Sequence, residues 1–378
     1  METIALSLDL PRCLAAKESD RTMNSLATQK EAVRNPVIPF GVSGTGFATL
    51  DLIFPWSNRQ NESGAEYFSA AGGTCANVLL TLAQLGLHVN FLSRLGRDPA
   101  GMNISDSFRQ AGVNISSILH DDTISSPIIL QYLGSPERGC DDHWFSRHYQ
   151  GHHLPGYTGI TRDQVMSATP TLTRSRAFVF DRLTPETLSA ARAAHAGGAL
   201  VLFEPSAIRD QALFQDALTF IDILKFSSQR LDKERLPDAW LTDVPVVIRT
   251  SGEVGLNIFF RDRPKPYRLP AIKAPRMTDS CGSGDMVTAG LLFWLGTLGI
   301  RDWQAILQGI EKGQKLAAMN CAFVGARGLF HAMDISRIKK FWLELPTDAW
   351  ALKVQTVKPI AGYSRIKKYP LSRLSQQN

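Results

Sequence analysis

Asp279-Ser280-Cys281-Gly282-Ser283-Gly284-Asp285 joins an extended run, Tyr267–Ala274, to a segment, 283–296, that is apolar on nearly every side. A helix apolar all round belongs in the interior, so its N-terminus is expected to leave the core at a functional surface. Two glycines at that point let an anion approach the free backbone N–H groups, and the helix dipole adds partial positive charge. Asp285, in the same first turn, is placed to accept a proton from an attacking hydroxyl. Anion cradle and base together suit phosphoryl transfer. The structural alternative is a plain strand-to-helix turn with Asp285 as an N-terminal acid, a residue type favoured there in any case. Other parts of the chain have to decide between the two.

Working outward, short β-rich runs alternate with helical runs from Val37 onward, the pattern of an α/β fold on a largely parallel sheet. Strands are expected at Val37–Val42, Val89–Ser93, Ala177–Asp181, Leu200–Glu204, Asp222–Phe226 and Val246–Thr250. Thr74–Leu85 reads as a helix with Val78, Leu82 and Leu85 on one stripe, ending at Gly86. Pro99–Ala111 reads as another, with Asp98 as N-cap, proline at the first helical position and Gly112 at the end. A later helix is expected over Trp303–Val324. Two stretches, about 51–70 and 126–159, fit the main layers poorly and are expected to form a small lid over the C-terminal edge of the sheet.

The bulk composition permits such a fold. The 378 residues, 44% of them hydrophobic, can bury a large core without metals or disulfides. Cys13, Cys75, Cys140, Cys281 and Cys321 form no CxxC pair, which argues against a zinc ribbon or a secreted disulfide scaffold and suits a reducing, cytoplasmic setting. The net charge of +6 resides in the segment 351–378, where Lys353, Lys358, Arg365, Lys367, Lys368 and Arg373 face no acid. A tail of this kind is read as solvated, so neither a specific nucleic acid nor a membrane is expected as partner. Residues 1–35 read as a disordered leader with Glu2 and Asp9 breaking its apolar patch, and Val287–Leu295 is too short to span a bilayer. The expected organisation is a leader at 1–35, one domain at 36–345 and a basic extension at 346–378.

Several motifs recur in order. Thr278–Gly290 resembles the C-terminal motif of the ribokinase/PfkB carbohydrate kinase family, Asp-Thr-x-Gly-Ala-Gly-Asp, with Ser280 for the threonine and Ser283 for the alanine. Ala71-Gly72-Gly73-Thr74-Cys75-Ala76-Asn77 is similar to the family's N-terminal Gly-Gly motif, and Leu85-Gly86 and Arg94–Gly101 continue in family style. The resemblance covers about residues 37–330. It implies a ribokinase-like three-layer α/β/α sandwich with a mainly parallel central sheet and a small β lid. It also implies an ATP-dependent phosphotransferase acting on a sugar-like hydroxyl, with Asp285 as base and Gly282, Ser283 and Gly284 as anion hole. Asp51, Gly72, Gly73 and Asn77 would bind the substrate. Thr250, Gly252 and Gly255, in a loop similar to the family's Thr-x-Gly-x-x-Gly, would bind ATP with Lys225, Ser227 and Asn320. The family's usual asparagine aligns nearer Ala317 than Asn320. Cofactors implied are ATP and Mg2+, with a monovalent cation as a further option. A homodimer through the lid is compatible with the resemblance.

The chain departs from the family after the strand near 222. Lys225-Phe226-Ser227-Ser228-Gln229-Arg230 stands where Lys-x-Asn-x-x-Glu is usual, so magnesium would rest on ATP phosphates, water and Asp279 or Glu204. A catalytically weak sugar- or nucleotide-binding protein is the resulting alternative. Cys140-Asp141-Asp142-His143 with His148, His152 and His153 matches no standard zinc spacing, and no metal site is assigned. A substrate-gripping lid is expected there instead, with Tyr132, Trp144, Phe145 and Tyr149 able to stack on a sugar or nucleoside face. Gly44-Thr45-Gly46 lacks the third glycine of a dinucleotide fingerprint, Thr49 standing in its place. Hexoses, pentoses, keto-deoxy sugar acids, phosphorylated sugars and nucleosides all stay open as substrates.

Overall fold

The computed structural model describes residues 41–59, 67–134, 143–231, 242–299, 301–357 and 371. The expected leader at 1–35 and most of the basic tail lie outside them, as do Cys13 and Cys140-Asp141-Asp142.

Fifteen strands are described: β1 (Gly41–Thr45), β2 (Thr49–Pro55), β3 (Phe68–Gly72), β4 (His88–Gly96), β5 (Ile118–Asp121), β6 (Ile128–Leu133), β7 (His143–Ser146), β8 (His148–Tyr149), β9 (His152–His153), β10 (Ala177–Phe180), β11 (Leu200–Phe203), β12 (Ile223–Ser227), β13 (Val246–Thr250), β14 (Leu256–Phe260) and β15 (Tyr267–Leu269). Nine form one sheet in the order β15-β14-β13-β12-β11-β10-β1-β4-β5. All its pairs from β13 to β5 are parallel, and β14 and β15 close one edge antiparallel. Strands buried on both faces read as continuous apolar runs, which is why Leu200-Val-Leu-Phe and Val246-Val-Ile announce themselves. Their side chains alternate between two cores. Val179, Leu202 and Ile248 join the cluster that holds the helices Thr74–Gln84 and Ser283–Leu298. Phe178, Phe180, Phe203 and Val247 join a second cluster with the helices Arg162–Leu172, Pro185–Ala196 and Gln211–Leu218. One sheet between two helical layers is the expected three-layer sandwich.

Boundaries differ in detail. Residues 37–40 of the expected first strand lie outside the described residues, which hold it over Gly41–Thr45; the extended run after Tyr267 is a strand only to Leu269, and the late helix stops at Asn320 rather than Val324. Asp98 caps its helix as expected, accepting from Gly101 N at 2.7 Å. The helix Thr347–Gln355, assigned by sequence to the extension, buries Trp350 and Val354 completely in the first core. Its packing carries the folded domain past residue 345.

The lid is a second sheet of four strands, β3-β2-β6-β7, beside the short hairpin β8-β9. It starts slightly earlier than expected, since β2 runs from Thr49. The sheet therefore carries Asp51 and delivers the chain at Gly72 directly into the helix Thr74–Gln84.

Candidate active site

The parallel strands end at one edge, and the site is assembled from the residues just beyond it. Register aligns Thr45 with Phe180, Phe180 with Phe203, and Ser227 with Thr250. Gly46, Asp181, Glu204, Ser228 and Ser251 are thus the first residues past the edge. Against them comes the N-terminus of the Ser283–Leu298 helix, capped by Gly282 in the left-handed conformation (φ 73°). A Cβ at Gly282 would stand 2.5 Å from Ala326 O, so glycine is required here by both backbone and space. The first-turn N–H groups of Ser283, Gly284 and Asp285 have no helical partner of their own, except that Ser283 N reaches Ser280 O at 3.2 Å.

Asp285 is buried in that first turn and accepts a 2.7 Å hydrogen bond from Asn77 Nδ2, 208 residues away in sequence. Burial, with the Glu204 carboxylate nearby, pushes its carboxyl up to about 7, against the pull of the Asn77 bond and of Lys225 and Arg230. Such a carboxyl can alternate between base and acid near neutral pH. Glu204 is itself held: Lys225 Nζ pairs with one of its oxygens, and Thr288 Oγ1 donates to the other at 2.6 Å. Lys225, only 1% exposed, projects from β12 to the same core as Ile223, and a Cβ at Gly284 would lie 3.5 Å from its Nζ. A largely buried ion pair therefore underlies the N-terminal end of the helix, and Lys225, expected to bind ATP, is engaged by Glu204 in it.

Asp51, expected to bind substrate, lies on β2, paired with Ala70 of β3. Burial pushes its carboxyl up to about 8, with Arg327 opposing and Asp285 reinforcing the shift. No donor among the described residues hydrogen-bonds to this carboxylate. Gly72 packs on it so closely that a Cβ there would fall 1.8 Å from Oδ2. Gly73 is the N-cap of the helix that presents Asn77, whose Oδ1 is buried without a hydrogen-bond partner. Asp51, Gly72, Gly73, Asn77 and Asp285, separated by up to 234 positions in the chain, are thus brought to one place.

Most of the residues expected to bind ATP gather at the neighbouring strand ends. Ser227 ends β12 opposite Thr250, Ser228 Oγ meets Ser251 Oγ at 3.2 Å, and Gly252–Val254 form a short 3-10 turn closed by Ser251 N donating to Gly255 O at 2.8 Å. Arg230 comes next on the four-residue helix Ser228–Leu231, exposed, and its charge reaches Asp285 and Cys281. Asn320 does not belong with this group. It is 0% exposed, donates to Ala326 O at 3.1 Å and accepts from Leu329 N at 3.0 Å, so its amide is taken up in holding the 325–329 loop.

Asp279 is likewise engaged: Oδ1 accepts from Cys281 N at 2.8 Å and Oδ2 from Gly325 N at 2.7 Å. Glu204 is held by Lys225 and Thr288, so both carboxylates expected to assist magnesium have partners within the fold, and no group of three or more metal-ligating side chains occurs among the described residues. The lid aromatics also divide differently from expectation. Tyr132 (2% exposed) and Tyr149 (4%) are core residues, Tyr132 stacking on Phe54 at 5.6 Å, while Trp144 and Phe145 remain on the surface.

Three residues escaped the sequence reading of the site, and a fourth was read in another role. Thr288 looked like part of an apolar helix. Asp181, 2% exposed, accepts from Phe47 N at 2.8 Å and Cys75 N at 3.1 Å, tying the loop after β1 to the Thr74–Gln84 helix. An acid directly after a buried parallel strand was its available signal. Glu204 carried the same signal but was read only as a candidate metal ligand. Arg327, 5% exposed and donating to Ala71 O at 3.0 Å, had none.

The comparisons with known proteins agree with this architecture. A fructokinase of Escherichia coli is 26% identical over 321 residues, covering 74% of this chain and 93% of the fructokinase. The structure of a fructokinase with bound ATP from Xylella fastidiosa superposes with a TM-score of 0.64 at 19% identity, over 80% of this chain and 99% of that one. That of aminoimidazole riboside kinase from Salmonella enterica, complexed with aminoimidazole riboside and an ATP analog, gives 0.60 at 21% identity, over 80% and 99%. The pfkB family carbohydrate kinase model matches residues 48–328, a span that opens just before Asp51 and closes just after Arg327. Since that span takes in the whole ring of residues around Asp285, the chain belongs to the pfkB family of carbohydrate kinases, transferases that phosphorylate hydroxyl groups.

Proposed function

We propose that this protein transfers the γ-phosphoryl group of ATP to a hydroxyl of a sugar or sugar-like polyol, with Asp285 as general base. The observation that carries the reading is the buried Asp285 carboxyl, held by Asn77 at the mouth of a helix N-terminus and pushed up to about 7. In this reading, Asp51 accepts hydrogen bonds from substrate hydroxyls, and Asn77 Oδ1 offers another acceptor beside the reacting hydroxyl. Asp285 removes that hydroxyl's proton as its oxygen attacks the γ-phosphorus and the bond to the departing ADP breaks. The Gly282–Asp285 backbone takes up negative charge on the transferring group. Thr288 and Lys225 fix Glu204, and through it the first turn of the helix, so little rearrangement is needed at the moment of reaction.

ATP as donor is supported by the relatives that bind it or its analog, and the glycine-bearing turn at 252–255 beside Ser227 suits phosphates passing close to backbone. Among the described residues no group of three or more metal-ligating side chains occurs, and Asp279 and Glu204 are already hydrogen-bonded, so a magnesium ion here would be carried mainly by the ATP phosphates and water. Purified protein with ATP, Mg2+ and a panel of sugars, sugar acids and nucleosides should form ADP only when a particular polyol is added. Ligand-induced thermal stabilisation without ADP formation from any panel member would instead support a binding protein.

A further inference from the structure

The acceptor subsite contains a cation that the proposed phosphotransfer does not use. Arg327 comes directly after the turn that closes on Gly282, is 5% exposed, and places its guanidinium one residue from the Gly72-Gly73 turn through the bond from Nη2 to Ala71 O. Its Nε is buried with no hydrogen-bond partner. A guanidinium with an unmet donor at that depth is costly unless something supplies an acceptor. Asp51 is the nearest acid by electrostatic effect, yet the two groups do not close into an ion pair, and Asp51 has no other donor among the described residues. A carboxylate with free acceptor capacity and a guanidinium with free donor capacity thus sit in the same wall, held apart.

Resting on the kinase reading above, we propose that Arg327 is a specificity-determining residue and that the acceptor substrate is a sugar acid, its hydroxyls bound by Asp51 and its carboxylate by Arg327. A planar guanidinium presents a fork that matches a carboxylate in geometry and charge. The charge balance favours a monoanion. His331, half-buried near Arg327, is held neutral, its imidazole pushed down to about 4 by desolvation and by the Arg327 charge, so Arg327 is the sole cation the described residues place next to Asp51. One cation offsets one carboxylate. A phosphate dianion would leave excess negative charge against Asp51 and Asp285.

The test compares four- to six-carbon aldonic acids with the alditols of the same configuration and with the corresponding sugar phosphates. Both kcat/KM with ATP and the shift in melting temperature are measured, for wild type, Arg327→Gln and Arg327→Lys. In the wild type an aldonic acid is expected to exceed its alditol by at least about tenfold in kcat/KM, chiefly through KM, and to give the larger thermal shift. Arg327→Gln should reduce that preference to near unity, and Arg327→Lys, which keeps the charge and loses the fork, should fall between. If Arg327→Gln does not fold, the Lys variant and the wild-type preference still decide. An alditol or a sugar phosphate preferred by wild type, a preference unchanged in both variants, or no panel member that binds or reacts would overturn the proposal. Selective thermal stabilisation by an acid, lost in Arg327→Gln but unaccompanied by turnover, would uphold the carboxylate contact at Arg327 and refute the kinase reading on which the acceptor role rests.

Discussion

At the scale of single residues, the property that matters is the proton affinity of Asp285. Its carboxyl is pushed up to about 7 chiefly by burial, and the 2.7 Å bond from Asn77 Nδ2 is the largest force acting the other way. A general base works only when ionised, so kcat is expected to rise with pH and level off above about 7. Replacing Asn77 by alanine removes the bond that favours the ionised form, and the rising limb should move to higher pH, with a greater loss of kcat at pH 6 than at pH 9. A loss of the same size at every pH would show that Asn77 contacts only substrate. Asp285 itself was legible in the sequence because a glycine-flanked acid opened an apolar helix. Asn320 was read towards ATP, whereas its amide bonds to the 325–329 loop: polar residues at a helix end can serve either role, and nothing in local sequence separates the two.

At the scale of elements, the helix that carries Asp285 is positioned by its neighbour Trp303–Asn320, and the two meet through glycine. A Cβ at Gly313 would stand 2.4 Å from Val287 O, and one at Gly290 would stand 2.5 Å from the Gly313 Cα. Gly313→Ala should therefore push the pair apart, lowering the free energy of unfolding in urea by about 1–3 kcal/mol. Leu352→Ala, at a side chain 67% exposed, should change it by less than about 0.5 kcal/mol. Equal effects from the two would contradict this view of the helix contact. The elements themselves were largely readable. Continuous apolar runs marked the parallel strands and caps marked the helices, because each signal is local. The lid was less so: 51–70 and 126–159 stood out only as misfits, since β2 pairs in parallel with β6, nearly eighty residues on, and such a partner leaves no local trace. Arg327 was invisible for the same reason, its meaning lying in Asp51 and Ala71 from the other end of the domain.

At the scale of the whole molecule, the site concentrates buried acids that the fold makes reluctant to ionise. Asp51 moves from an ordinary 3.8 to about 8 and Asp285 to about 7, Asp181 and Asp279 are raised as well, and so is Asp222 at the opposite edge of the sheet. A carboxyl raised on folding holds more protons in the folded chain than in the unfolded one, so its stabilising contribution is lost as pH climbs through the folded value. His331 acts in the opposite sense, but only below its ordinary 6.5, and Lys315 does so only above about 8. Between about pH 6.5 and 8 the acids act alone, and the melting temperature is expected to fall. Asp51→Asn should flatten that decline. A melting temperature that rose across the window would contradict the burial of these carboxyls.

The proposed chemistry depends on Asp285 being the group that takes the substrate proton. The direct measurement is steady-state kinetics of Asp285→Asn beside wild type, on whichever polyol the panel identifies, with ligand-induced thermal shifts to track binding. The amide keeps the shape and the Asn77 contact but cannot act as base. The expected result is a loss of at least about a hundredfold in kcat with the thermal shift largely kept; turnover near the wild-type rate would contradict it.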